Sequence, residues 1–195
     1  MQLISLQGAQ IRQWLDALAT LRIRVFREFP YLYDGSLDYE RDYLETYVQS
    51  DDSLCVLVLD GEQVVGMSTA LPLAHEDEAF RRPFIEQGIE VETVCYFGES
   101  ILLPEYRGQG LGVRFFEARE AHARALVGVR YTAFCAVERP DDHPLRPTDY
   151  QPLDAFWQRR GYTHRPELYA RYEWQDIDAA TPDHKTLRFW LKTLD

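Results

Sequence analysis

Apolar side chains at Ile11, Trp14, Leu15, Leu18, Val25, Phe26 and Phe29 recur at helical spacing and predict a helix over 11–29, ended by Pro30. Tyr31 to Gly35 reads as a loop. Ser36 is placed to cap a second helix carrying Tyr39, Tyr43, Leu44 and Tyr47. The unbroken apolar run 54–59 then predicts a buried strand. Asp60-Gly61 is a tight-turn signal, and 64–73 returns as the second arm of a hairpin. Residues 74–93 are polar and irregular, with room for a short helix. A strand is predicted over 96–103, stopped by Pro104. The glycine-rich turn 107–112 opens a helix that runs to about Leu126. Its inner stripe is read as Leu111, Phe115, Ala118, His122 and Ala125. Arg114, Glu117, Glu120 and Arg124 are read as facing out, with Glu120 and Arg124 at the favourable i,i+4 spacing. A strand over 131–137, a proline-rich loop over 138–152 and a short helix over 153–160 follow, the helix closed by Gly161. Strands over 168–174 and 185–192 complete the chain. The order predicts one domain over 1–195, of mixed α/β (α+β) class, with helices on the faces of a mixed sheet.

The stretch from Ser100 to Gly112 carries the most specific chemistry. A buried strand ends at proline, and a helix begins among alternating glycines. Glycine lets the backbone turn sharply and brings its N–H groups close to a ligand. Amides that open a helix lack partners, and with the helix dipole they attract an anion. Two other phosphate turns are excluded. A P-loop requires Lys and Ser or Thr after its last glycine, whereas Val113 and Arg114 follow here. A dinucleotide turn is GxGxxG near the start of a βαβ unit, whereas this GxGxG lies mid-chain after a hairpin.

Composition narrows the partners. The net charge of -11 disfavours nucleic acid and anionic membranes, both of which require Lys and Arg. It suits a cationic small molecule, and it also serves solubility. Twelve Tyr, ten Phe and four Trp exceed what a core needs and can line a pocket. Cys55, Cys95 and Cys135 form no CxxC pair, and the histidines lack zinc spacing. No metal is expected. With neither a signal-like start nor a bilayer-length apolar run, the expected location is the cytoplasm.

The turn resembles motif A of the GNAT superfamily of N-acetyltransferases, Arg/Gln-x-x-Gly-x-Gly/Ala, filled here by Arg107, Gly110 and Gly112. Phe156 to Tyr162 resembles that family's late helix, which ends in Gly-Phe or Gly-Tyr. The resemblance implies an acyl-CoA N-acyltransferase fold, with a mostly antiparallel mixed sheet splayed at a CoA slot. It implies acetyl-CoA as co-substrate, its pyrophosphate held by the amides of Arg107, Gly108, Gln109, Gly110, Leu111 and Gly112. The strand edge at Ile101, Leu102 and Leu103 would pair with the pantetheine arm.

Acyl transfer to an amine requires removal of the amine proton, polarisation of the thioester and a proton for the leaving thiolate. Related enzymes often place a carboxylate on the CoA-binding strand, which makes Glu99 the expected base. A tyrosine often stands four residues before the glycine closing the late helix. Trp157 occupies that position, and Tyr150 is the substitute acid. Tyr31, Tyr33 and Asp34 are expected to enclose the amine. Cys135 is read as core rather than nucleophile. The acceptor expected is a primary amine on a small molecule, attacked by no covalent detour, in a monomer or homodimer. A non-catalytic acyl-CoA sensor or partner module, and a protein N-terminal or lysine acetyltransferase, are the alternatives.

Overall fold

The computed structural model describes residues 1–195. Its strands are β1 (Gln2–Leu6), β2 (Leu54–Asp60), β3 (Gln63–Pro72), β4 (Val94–Tyr96), β5 (Ser100–Leu102), β6 (Tyr131–Val137), β7 (Thr163–Trp174) and β8 (Asp183–Thr193). They form one sheet in the order β1-β2-β3-β4-β6-β8-β7, with β5 beside β3. Only β4 and β6 run parallel; every other pair is antiparallel. The predicted hairpin is β2–β3, turning at Gly61 with φ +60°. β1 lies outside the elements the sequence predicts. It is a five-residue edge strand, half-exposed, so its alternation is weak.

The first predicted helix divides. Residues 8–14 wind as a 3-10 turn, and α1 takes Leu15–Phe26. α2 (Leu37–Gln49) starts where Ser36 accepts a hydrogen bond from the Tyr39 amide at 3.4 Å, as its capping chemistry requires. α3 (Glu78–Glu86) starts in the polar excursion, where Asp77 accepts from the Ala79 amide at 2.8 Å. α4 (Leu111–Ala125) follows the glycine turn, and α5 (Asp154–Gln158) is a short helix. The loop over 138–152 has no regular structure, in keeping with its prolines.

α4 buries a wider face than predicted. Leu111, Phe115, Phe116 and Ala123 are core, but so are Arg119 and Glu120, whereas His122 and Ala125 are not. Glu120 accepts from Lys192 Nζ at 2.8 Å to each oxygen and from the Tyr162 hydroxyl at 3.3 Å; Arg124 reaches it at 3.6 Å. Charged residues enter this face because their partners sit in the sheet behind it. Phe115 is 1% exposed, so truncation to Ala would cost about 3–5 kcal/mol. No helix is long and apolar enough to cross a membrane.

Candidate active site

The glycine turn forms a ring of free amides. Gly108 and Gly110 adopt φ +75° and +78°, and nothing lies within 4 Å of where their Cβ atoms would stand. No protein group accepts from the amides of Gly108, Gln109, Gly110, Leu111 or Gly112. The next amide, of Val113, bonds the Gly110 carbonyl at 3.1 Å. Left-handed residues alternating with ordinary ones turn successive N–H groups to one side, which is the geometry of an anion nest. Gly112 serves packing, since its Cβ would meet the Phe156 ring at 3.3 Å.

Arg107 differs from expectation. Its amide is committed to the Pro104 carbonyl at 3.1 Å. Its guanidinium donates to the Leu102 carbonyl at 3.1 Å and to Glu28 at 2.9 Å. It therefore ties the end of β5 to the turn, and the cradle of amides begins one residue later.

The predicted strand over 96–103 breaks in two. β4 pairs with β6 from Val94 to Tyr96, and the Phe97 amide makes a last bond to the Ala133 carbonyl at 2.8 Å. Beyond it, β5 bonds β3 alone, so its other edge parts from β6. The break is a bulge wrapped around Thr69. The Gly98 amide donates to the Thr69 carbonyl at 3.2 Å, and the Thr69 amide donates to the Glu99 carbonyl at 3.1 Å. Gly98 is obligatory here, because a Cβ would lie 2.0 Å from the Tyr47 hydroxyl oxygen.

Glu99 sits at this parting point, 4% exposed. Its amide donates to Thr69 Oγ1 at 2.9 Å, and its carboxylate accepts from Thr69 Oγ1 and from Arg22 Nη1. Arg119 holds its carbonyl at 3.0 Å and Ser100 Oγ at 2.7 Å, with its guanidinium 4.4 Å from the Phe97 ring centre. Burial lowers the Arg119 pKa to about 10. The bulge also breaks strict strand alternation, so the face of Glu99 is set by these contacts.

Glu99 borders a cavity of about 100 Å³. Tyr31 and Tyr33 line it as expected, with Phe26, Tyr43, Tyr172 and Trp174 adding aromatic walls. Asp34 does not line it. Its carboxylate turns outward to Arg27 at 2.8 Å. The wall's second carboxylate is Glu40, fully buried and bonded through Oε2 to Arg22 Nε. Arg22 lies over the Tyr43 ring at 4.3 Å. Sequence reasoning missed Arg22, Glu40 and Arg119, although Arg22 falls on the helical register of Leu18 and Phe26, and Glu40 on that of Leu44 and Tyr47.

Tyr150 is not on the cavity wall. Its ring stands edge-on to Phe29 at 4.7 Å under the Arg146 guanidinium, and desolvation holds its phenol above the usual range. Trp157 packs between Phe134 and Trp190, each at 5.1 Å, an apolar nest with no use for a phenol. Cys135 lines the cavity beside the Tyr96 hydroxyl at 3.2 Å, and burial pushes its thiol up to about 12. A thiol so far from ionisation is a poor nucleophile. No cluster of three or more His, Cys, Asp or Glu side chains is placed to hold a metal.

A model of the Acetyltransferase (GNAT) family matches residues 15–148. No curated protein matches the sequence. Solved structures similar over 100% of both chains include a ribosomal-protein-alanine N-acetyltransferase from Brucella melitensis (TM-score 0.62, 14% identity). NAA60 from Arabidopsis thaliana, bound to a bisubstrate analogue, gives 0.60 at 13% identity. The GNAT-like decarboxylase GphF, bound to isobutyryl-CoA, gives 0.61 at 16%. At these identities the likeness is one of fold.

Proposed function

Because the chain belongs to the GNAT acetyltransferase family, we propose that it moves an acetyl group from acetyl-CoA to the primary amine of a small molecule by direct attack. The observation that carries this reading is the position of Glu99. It stands where the strands part, on the wall of an aromatic cavity, and the turn from β5 into α4 carries five free amides. Two of the similar folds hold a bisubstrate analogue or an acyl-CoA in their own structures, which supports acetyl-CoA here.

Acetyl-CoA supplies an acyl thioester. The amides of Gly108 to Gly112 would hold its pyrophosphate, and the unpaired edge of β5, at Ile101 and Leu102 and on to Leu103, would align its amide-bearing arm. Glu99 takes the first proton from the acceptor ammonium. The freed nitrogen forms the C–N bond as the C–S bond breaks, and its second proton leaves with the thiol. The raised pKa of Cys135 favours this direct route over an acyl-cysteine.

The fastening of the loop beside the cavity supports a small acceptor. Arg139 donates to the carbonyls of Pro30 and Tyr31, at 2.7 Å each, and pairs with Asp176 at 2.6 Å. Tyr33 bridges to Asp176. The 27–36 loop is thereby fastened over the acceptor side, where a protein terminus would need an open groove. Three free thiols fit a reducing compartment such as the cytoplasm.

Free-thiol release with acetyl-CoA and a panel of amines tests the proposal. Glu99→Gln should lower kcat by about 10²–10⁴-fold with CoA affinity retained. Unchanged turnover would remove Glu99 from the reaction.

A further inference from the structure

The cavity holds an unbalanced charge. Arg22 is the one cation on its wall, and it is shared by two carboxylates, Glu40 and Glu99, so the formal sum is −1. Outside the wall, Arg139 and Lys185 are matched by Asp176 and Asp183, and the buried Arg119 that holds the Glu99 carbonyl is offset in formal charge by the buried Glu76. Glu76 lies behind Tyr47, whose hydroxyl donates to it at 3.3 Å, and it does not border the cavity.

Glu40 shows where the excess resides. Oε2 is bonded to Arg22, but Oε1 is buried with no hydrogen-bond partner, in a residue of 0% exposure. The Tyr33 phenol stands beside it, held above its usual range by burial and by that carboxylate. Even so, no bond of acceptable geometry reaches Oε1. A buried acceptor atom left unpaired is costly, and a charged one more so. Both costs are relieved by a ligand that brings one positive N–H group. The surrounding aromatic faces suit a cation with an apolar body.

We infer that Glu40 is the acceptor's ammonium anchor and that the acceptor is a primary aralkylamine of net charge +1, bearing no carboxylate. This rests on the acetyltransferase reading above. The charge stays balanced through the reaction. With the ammonium bound, the site sums to zero. After a proton passes to Glu99, Glu40 faces Arg22 alone and the sum is zero again. A zwitterionic amino acid would leave the site at −1, with its carboxylate pressed toward Glu40. A diamine would leave it at +1, with no second carboxylate free to match it.

The decisive test is a matched panel at saturating acetyl-CoA, read as thiol release from the wild-type protein. 2-Phenylethylamine is compared with L-phenylalanine, which adds only a carboxylate, and with putrescine, which adds a second charge. We expect kcat/KM for 2-phenylethylamine to exceed both by about tenfold or more, since a misplaced like charge weakens binding. A smaller ratio against either overturns the inference while the acetyltransferase reading stands. If acetyl-CoA raises the melting temperature but no amine or peptide releases thiol, the acetyltransferase reading itself fails, and the inference with it. In Glu40→Gln, the preference over L-phenylalanine should collapse toward unity while the acetyl-CoA thermal shift persists. An unchanged preference in that variant removes Glu40 from recognition. Glu40 also steadies Arg22, so the wild-type panel decides the substrate class without relying on the variant's folding.

Discussion

The bulge that parts the two central strands depends on the absence of one side chain. In Gly98→Ala the new Cβ would lie 2.0 Å from the Tyr47 hydroxyl oxygen, 2.7 Å from Thr69 Oγ1 and 3.1 Å from Tyr47 Cζ. Tyr47 is fully buried and cannot swing away, so the bulge itself must shift. Overpacking of this kind costs about 1–3 kcal/mol. At about 2–4 °C per kcal/mol for a domain of this size, the melting temperature should fall by about 2–12 °C. Glu99 is the next residue, and a displacement of about 1 Å at a reacting group can cost on the order of a hundredfold in rate. Differential scanning fluorimetry and thiol release on the same preparation would measure both effects. Adding Tyr47→Phe removes the nearest clashing atom, so the double variant should recover part of the loss, a coupling that a double-mutant cycle reads directly. A Gly98→Ala protein with wild-type melting temperature and turnover would refute the claim that this close approach sets the site.

Two further outcomes follow from particular groups. Burial pushes the Glu76 carboxyl up to about 7, well above its ordinary value in an unfolded chain. Between about pH 4.5 and 7 the folded state therefore binds the extra proton, and stability falls as pH rises through that window, by about 3 kcal/mol in all. Denaturant melts across that range should show a shallower decline in Glu76→Gln, and an identical slope would contradict the assignment. Tyr150 lies off the cavity wall, so Tyr150→Phe should leave kcat within about threefold, whereas a loss of a hundredfold would restore it as a proton donor.

What the sequence disclosed followed from how local each feature is. The turn of free amides was legible because it is built from consecutive residues, and Gly108 and Gly110 mark its backbone by their spacing. Glu99 was legible from its place on the strand entering that turn. The central strand appeared continuous because nothing in residues 97–99 marks a bulge except Gly98, whose meaning depends on Tyr47 and Thr69 from distant elements. Arg22, Glu40 and Arg119 were passed over because charged residues in an amphipathic helix ordinarily face water. Here each has a buried partner contributed by another element, and their register on the apolar stripe was the only local hint. Asp34 and Tyr150 lie in loops that the family resemblance assigns to the acceptor side, but loop position does not fix side-chain direction, and they turn to Arg27 and Phe29.

Calorimetric titration of CoA against the wild-type protein and Gly110→Glu bears most directly on the central claim. Five amides with no protein acceptor predict saturable one-to-one binding by the wild type. The variant should bind at least about a hundredfold more weakly, a difference of about 2.7 kcal/mol, because its carboxylate occupies the anion's place. A folded wild-type protein that takes up no CoA at millimolar concentration, or a variant that binds it equally well, would contradict the account.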